Sequence, residues 1–218
     1  MKKPVTLYIL LLALSIGVLF LLNLFLGSVD IPFRSIWNIL WGMDEGESVI
    51  WQNIIWKSRV PQALTAMVAG AGLAVSGLQM QTVFRNPLAG PSVLGISSGA
   101  SLGVAFVVLL SGSIGGIALS RLGFMGEIAL TMAAIIGALS IMALIVYVSQ
   151  KVHGNVTLLI IGVMIGYVAN AVIGVLKFFS VEEDIRAYVI WGLGSFARVS
   201  GNQMMVFVCI MAVLLPLS

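Results

Sequence analysis

The stretch RVPQALTAMVAGAGLAVSGLQMQTVFRNPLAGPSVLGISSGASLG, residues 59–103, decides how this chain is read. Between Arg59 and Arg85 no residue carries a charge, and most are apolar or small. That run is long enough to cross a bilayer as a helix, which takes about 20 predominantly apolar residues. Arg85, Asn86 and Pro87 then break it. Pro87 has no backbone donor and pushes Asn86 out of helical geometry, so RNP reads as a turn at the membrane surface. Pro91 breaks the chain a second time, and Ser92 is a candidate N-cap for a second helix. That helix is expected to begin with small and hydroxylated residues: Gly95, Ser97, Ser98, Gly99, Ser101 and Gly103. A simple reversal needs only a polar turn. A doubly broken link that feeds a helix with so little side-chain bulk suits close packing beside a pathway.

The rest of the chain has the same character. Of 218 residues 60% are hydrophobic and 9% charged, where a soluble domain carries about 25% charged residues. No water-soluble surface can be built from this composition, and the fold class it implies is an all-α, polytopic membrane helical bundle. Uncharged stretches at 4–29, 60–84, 86–120, 128–150, 152–176 and 199–218 place six spans, near 5–26, 61–83, 93–111, 128–149, 156–177 and 202–218, in a single transmembrane domain. The first span is longer than the apolar core of a signal peptide, and no small-residue cleavage site closes it.

Placing Lys2 and Lys3 in the cytoplasm puts Arg85 and Lys151 there as well, on short links. Arg34, Lys57, Arg59, Arg121, Lys177, Arg186 and Arg198 then lie outside on longer ones. Basic density, rather than the raw count, favours this orientation. Every acid falls outside: Asp30, Asp44, Glu45, Glu47, Glu127, Glu182, Glu183 and Asp184. The outer link 31–58 carries Trp37, Trp41, Trp51 and Trp56. PFRSIWNILWG within it has the spacing of a short interfacial helix, as does VEEDIRAYVIWGLGSFAR at 181–198. These tryptophans act either as interfacial anchors or as specific contacts.

Several functions are excluded. Cys209 is the only cysteine, so no intrachain disulfide exists, and its apolar surroundings suit a buried or lipid-facing residue better than a reactive thiol. His153 is the only histidine and reads as a solvated loop residue. No metal-ligand spacing, phosphate loop or nucleophile elbow is present, so neither metal, cofactor nor nucleic-acid partner is expected. No lysine or carboxylate sits in the middle of a span, where ion-coupled carriers keep one. Gly95, Gly99 and Gly103, together with Gly162 and Gly166, allow helices to approach closely. They read either as the wall of a pathway or as ordinary packing.

The 59–103 stretch resembles the signature of the iron-chelate, haem and cobalamin permease family, the transmembrane subunits of ABC importers. The residues that carry the resemblance are Arg59 and Pro61 in R-x-P, AGAGLAVSG, RNPLA and LGISSGA. Further on, NVTLLIIGVMIGYVANAV resembles the family's fifth helix, and VIWGLGSFARVSGNQ the region before its sixth. The resemblance implies a homodimer of ten-helix subunits with the pathway on the dimer axis. It also implies two cytoplasmic ATPase subunits, a substrate-binding protein docked outside, no catalysis by the permease itself, and a bacterial inner-membrane location with the N-terminus cytoplasmic. Carried over residue by residue, Arg59 matches the first of two docking arginines in R-x-P-R. Gln62 replaces the second, and Lys57 stands nearby to make up the charge. Arg59 has an alternative reading as a snorkelling interface anchor. Asn155 and Val156 match the cytoplasmic gate at the start of helix five. The turn Arg85, Asn86, Pro87, Pro91 is the family signature itself. About six of the family's ten helices are present, so the coupling loop after helix six and the last four helices are expected to be missing. The competing readings are a small ion-coupled secondary carrier and an inactive membrane fragment.

Overall fold

The computed structural model describes residues 5–43, 46, 48–114, 124–152, 154–197 and 199–217, the side chains at 111–114, 124 and 155 excepted. His153, Arg121 and Arg198 lie outside the described residues, as do Lys2, Lys3, Asp44, Glu45 and Glu47. Every regular element among the described residues is helical: α1 Val5–Phe25, α2 Phe33–Leu40, α3 Val49–Ile54, a π-helical turn Ile55–Arg59, α4 Val60–Phe84, α5 Ile96–Ile114, α6 Phe124–Ser149, α7 Asn155–Phe178, α8 Glu182–Gly192 and α9 Gly201–Leu217. Val5–Phe25, Val49–Phe84, Met125–Ser149 and Val156–Phe178 are long and apolar enough to cross a membrane. Ile96–Leu110 and Gly201–Leu217 are shorter apolar helices where the third and sixth spans are expected. The protein is a multi-pass helical membrane protein.

The chain forms two compact units, one of residues 1–73 with 195–218, the other of 74–194. In the first, α2 turns Ser35, Ile36 and Ile39 inward and leaves Phe33, Trp37 and Trp41 exposed. Ile31, Ile36, Ile39 and Ile55 form its small core. The outer face of α2 continues an aromatic row, with Phe25 stacked on Phe33 at 4.9 Å and Trp37 against Trp41 at 5.8 Å. This is the short amphipathic helix that the tryptophan spacing predicts.

The π-helical turn has a local cause. Pro61 has no N–H to give to the carbonyl four residues back, and its ring crowds that carbonyl, so the turn before it widens. Widening brings Arg59 round to the buried side with Ile55 and leaves Trp56, Lys57 and Ser58 exposed.

In the second unit α5 packs on α6 through glycine. A Cβ on Gly99 would meet the Gly137 carbonyl at 2.7 Å, and one on Gly103 would strike the Ala133 carbonyl. Backbones approach this closely only where side chains are missing. One end of the unit is closed by α8, whose Tyr188 joins Val104, Ala105, Val108, Leu109 and Ile173 in the core. The Ser180 hydroxyl donates to the carbonyls of Leu109 (3.0 Å) and Leu176 (2.6 Å), tying the loop before α8 to both α5 and α7.

Candidate functional site

The link from α4 to α5 is built residue by residue. The helix α4 ends in a Schellman motif: the Arg85 N–H donates to Thr82 O (3.3 Å) and the Asn86 N–H to Gln81 O (3.1 Å). Arg85 occupies the left-handed position at φ 49, where glycine is usual. The Asn86 carboxamide oxygen then accepts the Leu88 N–H at 2.9 Å, and the Asn86 carbonyl accepts the Ala89 N–H at 3.1 Å. RNP is therefore a turn held by its own side chain and backbone. Pro87 and Leu88 are exposed, whereas Ala89 is buried.

Ser92 is not the N-cap of the next helix. The Gly95 N–H donates to the Ser92 carbonyl (3.2 Å), and regular helix starts only at Ile96. The reason is conformational. Gly95 sits at φ +74, which an α-helix cannot contain, so α5 begins beyond it and later than residue 93.

Gly95 also explains the position of α7. A Cβ on Gly95 would lie 2.8 Å from Gly162 O and 3.2 Å from Gly166 N, and one on Gly162 would lie 2.8 Å from Leu94 Cα. The broken link therefore rests directly on the backbone of α7. Beside this contact is a cleft of about 170 Å³, lined by Ser92, Gly95, Ser98, Gly166, Tyr167 and Asn170 among others. A second, larger groove of about 380 Å³ on another face of α7 is apolar, with Ile141, Leu144, Met164, Val168 and Val172 in its wall.

The five glycines expected together thus divide. Gly95, Gly162 and Gly166 meet at the cleft, while Gly99 and Gly103 face α6. Val156 is exposed in the first turn of α7, and the Asn155 side chain lies outside the described residues. Ser98, expected among the small residues that open α5, lines the cleft, and so do Tyr167 and Asn170, which the sequence does not single out. The available signal is a polar pair three residues apart in the middle of an apolar span, on the face that carries Gly166.

Arg59 is 5% exposed. Its guanidinium donates to the carbonyls of Leu24, Phe25 and Val29, at and just beyond the C-terminus of α1. The Leu24 and Phe25 carbonyls lie in the last turn of α1, where carbonyls lack a helical partner and form the negative end of the helix dipole, so a cation is favoured there. Gly27 makes room for it, since a Cβ would come within 2.6 Å of Arg59 Nη2. Lys57 is exposed. On α8, Asp184 is 8% exposed and its Oδ2 has no hydrogen-bond partner. Burial pushes its carboxyl above the usual range, and neighbouring Glu183 adds to the effect. Burial also raises the Tyr188 phenol, partly offset by its hydrogen bond with Ser101. The Lys177 ammonium lies 4.8 Å from the centre of the Tyr188 ring. Among the described residues no group of three or more His, Cys, Asp or Glu could hold a metal ion.

The described residues thus make apolar helices joined by glycine contacts, with a doubly broken link packed beside a small cleft. The FecCD transport family matches residues 12–218, and the chain belongs to that family. It is 35% identical over 182 residues to the hemin transport system permease protein HmuU of Yersinia pestis, covering 83% of this chain and 51% of that one. It is 35% identical over 209 residues to the vitamin B12 import system permease protein BtuC of Serratia proteamaculans (strain 568), covering 95% and 56%. The chain thus spans about half the length of the curated relatives it matches. A solved structure described as an inward-facing conformation of a metal-chelate type ABC transporter superposes with a TM-score of 0.71 at 27% identity, covering 99% of this chain and 63% of that one.

Proposed function

We propose that this chain acts as the transmembrane permease subunit of an ATP-driven importer in the bacterial inner membrane, moving an iron chelate, haem or a corrinoid inward. The observation that carries the reading is the link 85–95 seated on α7 through Gly95 and Gly162, in a chain of the FecCD transport family. Haem and vitamin B12 are what the relatives are named for, and those names support this substrate class. In this reading the N-terminus is cytoplasmic, a second copy of the permease completes the pathway, and separate cytoplasmic ABC ATPase subunits hydrolyse the ATP. An extracytoplasmic substrate-binding protein delivers the cargo. Asn155 and Val156 form the cytoplasmic gate at the start of α7. Lys57, which is exposed, offers a charge to acidic groups of the binding protein. Arg59 would have to leave the carbonyls of α1 to do the same.

Affinity purification of the protein from its own membrane tests this assembly. An ABC ATPase and a second copy of the permease should accompany it in stoichiometric amount. Recovery without any ATPase, under detergents that preserve such complexes, would refute the reading.

A further inference from the structure

We propose that Tyr167 and Asn170 form a water-facing, hydrogen-bonding subsite for an uncharged polar substituent of the transported molecule. This rests on the importer reading above and names the chemistry of its cleft. Tyr167 stands at the midpoint of the apolar helix Val156–Phe178, and Asn170 lies one turn further on. Tyr167 is 72% exposed and Asn170 is exposed too. Neither side chain has a hydrogen-bond partner among the described residues, although each has groups that require one.

An unpartnered carboxamide facing hydrocarbon is strongly disfavoured, because no water is there to satisfy it. The two faces of α7 resolve where it points. The larger groove is lined by aliphatic side chains and suits lipid acyl chains. The smaller cleft gathers Ser92, Ser98, Tyr167 and Asn170 around the glycine contact. Its lining carries donors, acceptors and an aromatic side chain but no carboxylate, lysine, arginine or histidine. With no counter-charge available, a bare cation or carboxylate would be poorly held there. An amide, hydroxyl or carbonyl at the rim of a planar ring system would be held well, with the ring edge against Tyr167. A volume of about 170 Å³ admits a substituent of a few heavy atoms rather than a whole chelate. The subsite therefore grips one part of its cargo and leaves the rest in the pathway.

The test uses the full complex in its own membrane. Cys209, exposed and the sole cysteine, is first replaced by alanine. Tyr167→Cys, Asn170→Cys and, as a lipid-facing reference, Leu139→Cys are then labelled with a charged, membrane-impermeant thiosulfonate, in vesicles of both orientations. The proposal predicts labelling at 167 and 170 at least tenfold faster than at 139. Labelling as slow as at Leu139 would place both residues in lipid and overturn it. Efficient disulfide linkage of two Asn170→Cys copies by copper phenanthroline would instead make the face a contact between copies, and would also overturn it. Labelling needs no transport, so this outcome is independent of whether the importer reading stands. For the hydrogen-bonding role, Asn170→Leu should raise the half-saturation concentration for uptake at least tenfold, with haemin, cyanocobalamin and a ferric hydroxamate each tried as cargo. An unchanged half-saturation for the cargo taken up would remove that role.

Discussion

Replacing Gly95 by alanine makes two demands on the chain at once. The first is conformational: φ is +74, and an L-residue in the left-handed region costs about 1–2 kcal/mol. The second is steric. The new Cβ would lie 2.8 Å from Gly162 O and 3.2 Å from Gly166 N, both backbone atoms of α7. Neither can swing aside as the end of a side chain would, so the link must shift, and overpacking of this kind costs about 1–3 kcal/mol. Together the penalty is about 2–5 kcal/mol. For a chain of this length that lowers the unfolding midpoint by roughly 4–20 °C. Gly90 supplies the matched control, five residues earlier in the same link. It has no positive φ, and a Cβ there would meet nothing within 4 Å. The assay is the temperature at which half of the detergent-solubilised protein ceases to elute as a single species. Gly95→Ala should fall by the stated amount, and Gly90→Ala should stay close to the parent. Equal midpoints for the two variants would refute the claim that the link is seated on α7 through Gly95.

Three further outcomes rest on the same physics. Arg59→Leu strips the cation from three carbonyls at the end of α1; the expected cost is about 2–4 kcal/mol, with Arg59→Lys recovering only part because an ammonium lacks the planar fork, as read by thermal stability in detergent. Gly137→Val drives a side chain into the backbone of Gly99 and Gly103 and should prevent recovery of folded protein, whereas Gly174→Ala, with nothing within 4 Å, should behave as the parent does. For Asp184 the folded-state carboxyl titrates above the ordinary value of 3.8, so the folded protein favours the protonated form and stability falls as pH rises through that window. Asp184→Asn should accordingly raise the unfolding midpoint at about pH 7, by an amount that shrinks as the pH is lowered towards the ordinary carboxylate range.

Much of this fold is legible in the chain because the signals are local. Proline at 87 and 91 marks the broken link from its own chemistry, and the structure puts a Schellman turn and an Asx turn around Pro87. The tryptophan spacing at 37 and 41 reports the outward face of α2 without reference to anything distant. What stays hidden depends on partners far along the chain. Ser92 looks like a cap until Gly95 is seen at positive φ against α7, which delays the helix. Gly95, Gly99 and Gly103 look like one stripe, yet Gly95 precedes the helix and faces α7, while the other two face α6. Arg59 reads as an outer-surface cation. The carbonyls that hold it come from about 30 residues upstream, and only a π-helical turn brings it round to them. Tyr167 and Asn170 escape notice for a simpler reason, since a search for charged groups within spans passes over neutral polar ones.

ATP-driven import is the activity proposed for this chain. It is tested most directly by deleting its gene in the host and measuring uptake of labelled ferric chelate, haemin and cyanocobalamin, with and without an uncoupler and with and without ATP depletion. Uptake of one of these cargoes should be lost on deletion, and in the parent strain this uptake should survive the uncoupler while ATP is maintained but stop when ATP is depleted. Uptake of all three unchanged by deletion, or a lost uptake that tracks the membrane potential rather than ATP, would contradict it.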